Sequence, residues 1–111
     1  MSDQIDAEYA EFAPELLNAA LELATEWGDN FRKPINERIL VNYPDLTESD
    51  IEQLTAIARE AESYIYTCAE RELAGEITEG DIVPDARRKY AWLDSNNASR
   101  LKNIGMFYAR K

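Results

Sequence analysis

Apolar residues recur at helical spacing along most of this chain. Ile5, Tyr9, Phe12, Leu16, Ala20, Leu23 and Trp27 follow one another at intervals of three and four, the signature of one apolar face on an α-helix. Pro14 interrupts the run. Because proline lacks an amide donor and clashes with the preceding turn, it either kinks this helix or begins a new one. The favoured reading is a short leading turn followed by a helix from Pro14 to Trp27. Gly28, Asp29 and Asn30 supply the backbone freedom and capping oxygens of a connector. A shorter helix over 32–41 comes next, with Pro34 in its first turn, Ile35, Ile39 and Leu40 on its core face, and Tyr43-Pro44 as its stop.

The clearest helix start is Thr47-Glu48-Ser49-Asp50, a hydroxyl with a carboxylate three residues on, close to a capping box and rich in the acids that suit a helix N-terminus. Ile51, Leu54, Ala58, Ala61, Ile65 and Cys68 then share one face, flanked by Ile57 and Tyr64, and Gly75 offers a C-terminal cap. This predicts a long central helix over about 48–74, the spine of a bundle. Residues 76–83 read as a loop whose Ile77, Ile82 and Val83 tuck back onto the core. Two further helices follow, 84–93 through Ala86, Tyr90 and Leu93, and 96–110 through Leu101, Ile104 and Tyr108, with Ser95 as N-cap of the second. One continuous helix over 84–110 is the alternative. No segment alternates like a half-buried strand. The expected fold is all-α: one domain over 1–111, a compact bundle of four to five helices around the central one, with sequence neighbours antiparallel.

Composition narrows the chemistry. The chain has 111 residues, 45% of them hydrophobic, which suits a single modest core. There is no histidine, so the commonest metal ligand and the commonest base near neutral pH are both missing. A di-iron bundle site, which needs Glu-x-x-His pairs, is thereby excluded. The one cysteine, Cys68, rules out an intrachain disulfide and falls on an apolar face, where it behaves as a small hydrophobe. Residues 76–83 lack the ligand spacing of a calcium loop, and no P-loop, GxGxxG or GxSxG motif occurs. The carboxylate pairs Glu48/Glu52 and Glu22/Glu26 lie one turn apart and read as solvated faces. No residue is assigned as catalytic, cofactor-binding or metal-ligating, no cofactor is expected, and the chain is expected not to be an enzyme.

Charge supplies the remaining signal. The net charge is −10, which disfavours nucleic acid and anionic membranes as partners and favours basic ones. Up to Gly80 there are 19 acidic and 5 basic residues; from Asp81 onward there are 3 acidic and 7 basic. The C-terminal segment also interleaves cations with rings, and Arg87, Arg88, Lys89, Trp92, Arg100, Lys102 and Tyr108 are the candidate partner-binding residues. The competing reading places Tyr90 and Tyr108 in the core and pairs the cations with the molecule's own acidic helices. Tyr64 and Tyr66 point in different directions, so one is exposed, and a homodimer through that face is a further option. The N-terminus lacks the basic start and apolar stretch of a signal peptide, and no apolar run is long enough to span a membrane. A cytoplasmic location is the expectation. The leading functional expectation is an acidic helical module without catalytic activity that binds a basic protein; the alternatives are a nucleic-acid accessory protein acting through its C-terminus, or a subunit of a larger enzyme.

Overall fold

The computed structural model describes residues 12–26 and 34–110. Ile5, Tyr9, Trp27 and the 28–30 connector fall outside them, as do Arg32 and Lys33. Among the described residues there are five helices and no strand: α1 (Pro14–Ala24), α2 (Asn36–Asn42), α3 (Glu48–Leu73), α4 (Glu79–Lys89) and α5 (Ser95–Ala109). The fold is an all-α bundle in which the long helix α3 packs against α1, α4 and α5.

α1 begins at Pro14, where the missing amide costs nothing because a first-turn amide has no partner within the helix. Its buried side chains are Leu16, Leu17, Asn18, Ala20, Leu21 and Ala24. The predicted stripe was centred differently: Leu23 is only half-buried, whereas Leu17, Leu21 and Ala24 are almost completely enclosed. The buried arc is wide because α1 touches α2, α3 and α5. It ends at Thr25, three residues before the glycine expected to stop it.

α3 starts as its sequence dictates. The Thr47 hydroxyl accepts from the Asp50 amide at 3.0 Å and the Asp50 carboxylate accepts from the Thr47 amide at 3.0 Å, a reciprocal capping box. It stops at a Schellman motif: the Glu76 amide reaches the Arg71 carbonyl (2.9 Å) and the Gly75 amide the Glu72 carbonyl (3.0 Å). Gly75 takes φ +82°, which a residue with a Cβ adopts only under strain.

α4 departs from expectation. The helix spans 79–89, not 84–93, so the predicted 76–83 loop is mostly its first turns, and Tyr90 is its C-cap. Thr78-Glu79-Gly80-Asp81 repeats the capping logic of Thr47–Asp50, with the Asp81 carboxylate accepting from the Thr78 amide at 2.9 Å and its hydroxyl at 3.0 Å. Pro84 sits inside the helix and removes one backbone bond there; the cap and the burial of Ile82 and Ala86 offset that loss. The Thr78 amide holds the Asp81 carboxyl below the usual carboxylate range. A folded-state pKa below the unfolded one means stability present at neutral pH and lost as pH falls below about 4. Asp81→Asn is therefore expected to unfold at lower urea than the parent at pH 7, with the gap narrowing at pH 2.5; an equal gap at both pH values would remove the carboxylate from the account.

α4 and α5 are separate helices joined at 90–94, and the N-cap of α5 is Asp94 rather than Ser95, its carboxylate accepting from the Asn97 amide at 2.7 Å. Both residues suit a cap, and three-residue spacing to a well-placed amide decides between them. Contacts fix the directions. Gly105 lies against Ile65 and Tyr66 while Arg110 pairs with Glu72, so α3 and α5 run parallel. Lys102 of α5 meets Glu79, and Tyr90 at the end of α4 meets Glu60 of α3. α3, α4 and α5 thus form an up-down-up unit with sequence neighbours antiparallel. At the α3–α5 crossing a Cβ on Gly105 would stand 3.4 Å from the Tyr66 Cα, so the glycine lets the two backbones close together.

Candidate functional site

The seven candidate residues do not form one surface. Arg87 and Arg88 are exposed on the last turn of α4, where Arg87 Nε donates to the Leu93 carbonyl (3.1 Å) and Arg88 pairs with Asp85 (2.8 Å). Lys89 stands over the rings of Tyr64 and Tyr90, 5.2 and 5.6 Å from their centroids. Trp92 is buried against Tyr90, and its indole N–H has no hydrogen-bond acceptor among the described residues. Lys102 pairs with Glu79 at 3.1 Å. Tyr108 is half-buried against the core beside Phe107, and Tyr90 is fully enclosed. Of the tyrosine pair, Tyr66 is the exposed member.

Arg100 faces inward, toward a feature that the apolar pattern does not reveal. Helix α1 has no basic residue in its last turn, and its terminal carbonyls are met instead by guanidinium groups from three other helices. Arg38 of α2 donates to Leu23 O (3.0 Å), Arg59 of α3 to Ala24 O (3.1 Å) and Arg100 of α5 to Thr25 O (3.0 Å). Cations there complement the negative end of the helix dipole. Arg38 also pairs with Glu26 at 2.9 Å, and Arg59 with Glu62 at 3.1 Å. Burial lowers the Arg100 pKa, opposed by the charges of Glu22, Asp94 and Glu26.

A second buried polar set joins α1 to the α4–α5 connector. The Asn18 amide group donates to Pro14 O (2.9 Å) and Trp92 O (2.7 Å), and its oxygen accepts from the Asp94 amide (3.0 Å) and from Asn97 Nδ2 (3.0 Å). Arg100 Nη2 completes the chain on Asn97 Oδ1 at 2.8 Å. Arg100 is therefore a structural linchpin between the C-terminal end of α1 and this asparagine pair.

Between α3 and α5 the described residues form a groove of about 560 Å³ with both polar and apolar walls. Arg59, Glu62, Ser63, Tyr66 and Thr67 form its α3 wall, at spacings that keep them on one helical face. Leu101, Ile104, Gly105 and Tyr108 form the other. The volume falls within the range of small-ligand and side-chain pockets. Of the groove's residues, Tyr108 is among the seven sequence candidates and Tyr66 is the exposed tyrosine of the homodimer option. No family model matches the chain, and no curated protein or solved structure matches it. The groove and the charge distribution are thus what any functional reading has to work from.

Other chemistry is sparse. Among the described residues no group of three or more acidic or cysteine side chains is placed to hold a metal ion, and no helix is long and apolar enough to cross a membrane. Glu48, Glu52 and Glu22 are exposed, and Glu26 is engaged by Arg38. Cys68 is 1% exposed, and burial pushes its thiol above the usual range, against a lowering by the hydrogen bond with Tyr64. The reactive thiolate is scarce at neutral pH. Native protein should resist iodoacetamide at pH 7.5 over a period in which urea-unfolded chain is fully alkylated; comparable rates, followed by intact mass, would place the thiol at an accessible site.

Proposed function

We propose that this protein is a non-catalytic helical module that binds a basic protein through its carboxylate-bearing surface. The observation that carries this reading is the unequal use of the two kinds of charge. In the C-terminal region most of the described cations are occupied within the molecule: Arg100 on Thr25 and Asn97, Lys102 on Glu79, Arg110 on Glu72, Arg88 on Asp85 and Arg87 on the Leu93 carbonyl, while Lys89 meets only the rings of Tyr64 and Tyr90. Glu48, Glu52 and Glu70 on α3, and Glu15 and Glu22 on α1, are exposed and have no ion-pair partner among the described residues. An excess of solvated carboxylates on a chain of net charge −10 steers a cationic partner into encounter and repels polyanions.

The test is retention of proteins from host lysate on three immobilised forms, at low and moderate salt, with bound protein identified by mass spectrometry and nucleic acid quantified. The parent and an Arg87→Ala/Arg88→Ala/Lys89→Ala variant are expected to retain the same basic protein in stoichiometric amount. A Glu48→Gln/Glu52→Gln/Glu70→Gln variant is expected to lose it. Recovery of nucleic acid alone, abolished in the arginine variant, would replace this reading with a nucleic-acid role for α4. Retention of nothing by the parent would refute it outright.

A further inference from the structure

Of the four longer helices, α4 is the least secured. Within its own span it buries only Ile82 and Ala86, whereas α3 buries eight side chains and α1 six. Gly80 and Pro84, the two residue types that a helix interior disfavours most, both lie inside it. Among the described residues its polar ties to another helix are the Glu79–Lys102 pair and Lys89 over the Tyr64 ring, and with Glu79 more than half exposed such a pair contributes little. α1, by contrast, is held by the buried bonds of Asn18 and by three guanidinium groups. An element with few buried contacts opens at a fraction of the cost of global unfolding.

Both ends of α4 are anchored. Beyond its last residue Tyr90 is fully enclosed and donates its hydroxyl to the Glu60 carboxylate at 2.8 Å, and before its first the Schellman turn at Gly75 closes α3. Loss of helix between these anchors leaves the α3–α5 and α1–α3 interfaces, the most extensive in the molecule, in place. Asp85 of α4 stands close enough to Cys68 for its charge to raise the pKa of the thiol, so α4 covers the Cys68 side of α3. We propose that α4 melts as a unit while α1, α3 and α5 stay packed, and that this opening exposes Cys68 without global unfolding. The short turns at 74–78 and 90–94 keep the melted segment near its place, so it recloses quickly and slow chemistry at the thiol reads the open fraction.

Two measurements on the native protein test this: amide hydrogen exchange by NMR, and modification of Cys68 by methyl methanethiosulfonate, a small neutral thiol reagent, followed by intact mass. Amides of α4 are expected to exchange roughly tenfold or more faster than those in the middle of α3, with a weaker urea dependence because little surface is exposed. Gly80→Ala is expected to slow Cys68 modification about fivefold, the gain of alanine over glycine in a helix interior. A Cβ there would stand 3.8 Å from Thr78 Oγ1, an ordinary contact. Arg100→Gln, which loosens α1 and removes no bond to α4, is expected to leave the Cys68 rate unchanged. A rate that rises roughly tenfold or more in Arg100→Gln, or that carries the full urea dependence of global unfolding, would overturn the proposal. So would α4 amides as slow as those of α3, or a thiol that stays unmodified while α4 amides exchange.

Discussion

Asn18→Leu is expected to cost about 3 kcal/mol of folding stability, and so to lower Tm by about 12 °C in a domain of this size. Asparagine offers two donors and two acceptor positions, and Asn18 uses all four at distances between 2.7 and 3.0 Å. Leucine would fill similar space yet leave the Trp92 carbonyl, the Asp94 amide and the Asn97 amide group short of partners in a site that is only 9% exposed at Asn18. Unsatisfied buried polar groups, rather than a lost contact, produce the expected loss. Urea unfolding measures it, and Asn18→Asp separates causes: it keeps the shape but turns the donors toward Pro14 and Trp92 into oxygen, so it too should be strongly destabilised. A leucine variant within 1 kcal/mol of the parent would show that the network contributes no net stability.

Arg100→Gln is expected to cost about 2 kcal/mol, within the range for hydrogen bonds made by a charged group. The shorter side chain cannot reach both Thr25 O and Asn97 Oδ1, and the C-terminal end of α1 loses one of its three cations. Arg88→Ala makes the matched control, because Arg88 has a side chain 73% exposed and exposed ion pairs contribute little. The pair of variants also separates scaffold from surface: Arg100→Gln should retain the basic partner while the protein remains folded. A neutral Arg100 substitution beside a costly Arg88 one would reverse the assignment.

Much of this architecture is legible in the chain, and the misses share physical causes. α3 is legible because its signals agree: a hydroxyl–carboxylate cap at Thr47–Asp50, an unbroken apolar stripe, and a glycine where φ must be positive. α4 carries the same cap at Thr78–Asp81, but Gly80 and Pro84 both speak against a helix interior. Pro84 reads as a helix start, yet it lies in the second turn. Tertiary burial of Ile82 and Ala86 outweighs that local penalty. Asn18 and Asn97 escaped because apolar periodicity counts only apolar residues, and a buried asparagine between Leu17 and Leu21 registers as a gap in the pattern. Arg100 looked like part of a basic surface because its acceptor, the Thr25 carbonyl, lies 75 residues away in sequence. The groove was hidden for a similar reason: its walls come from two helices whose parallel alignment no local signal specifies.

The bonds that hold α1 in place have a kinetic consequence. Those made by Asn18 join residues 74 to 79 apart in sequence, whereas α3, α4 and α5 are linked only by the short turns at 74–78 and 90–94. Closing a long loop loses more chain entropy than closing a short one, so the carboxyl-terminal trio is expected to supply the folding nucleus and α1 to dock after the rate-limiting step. Asn18 variants should accordingly speed unfolding and leave refolding nearly unchanged. On the ribosome the amino-terminal helix would emerge first and meet α3 midway, yet its Asn18 bonds would close only after residues 92–97 had followed.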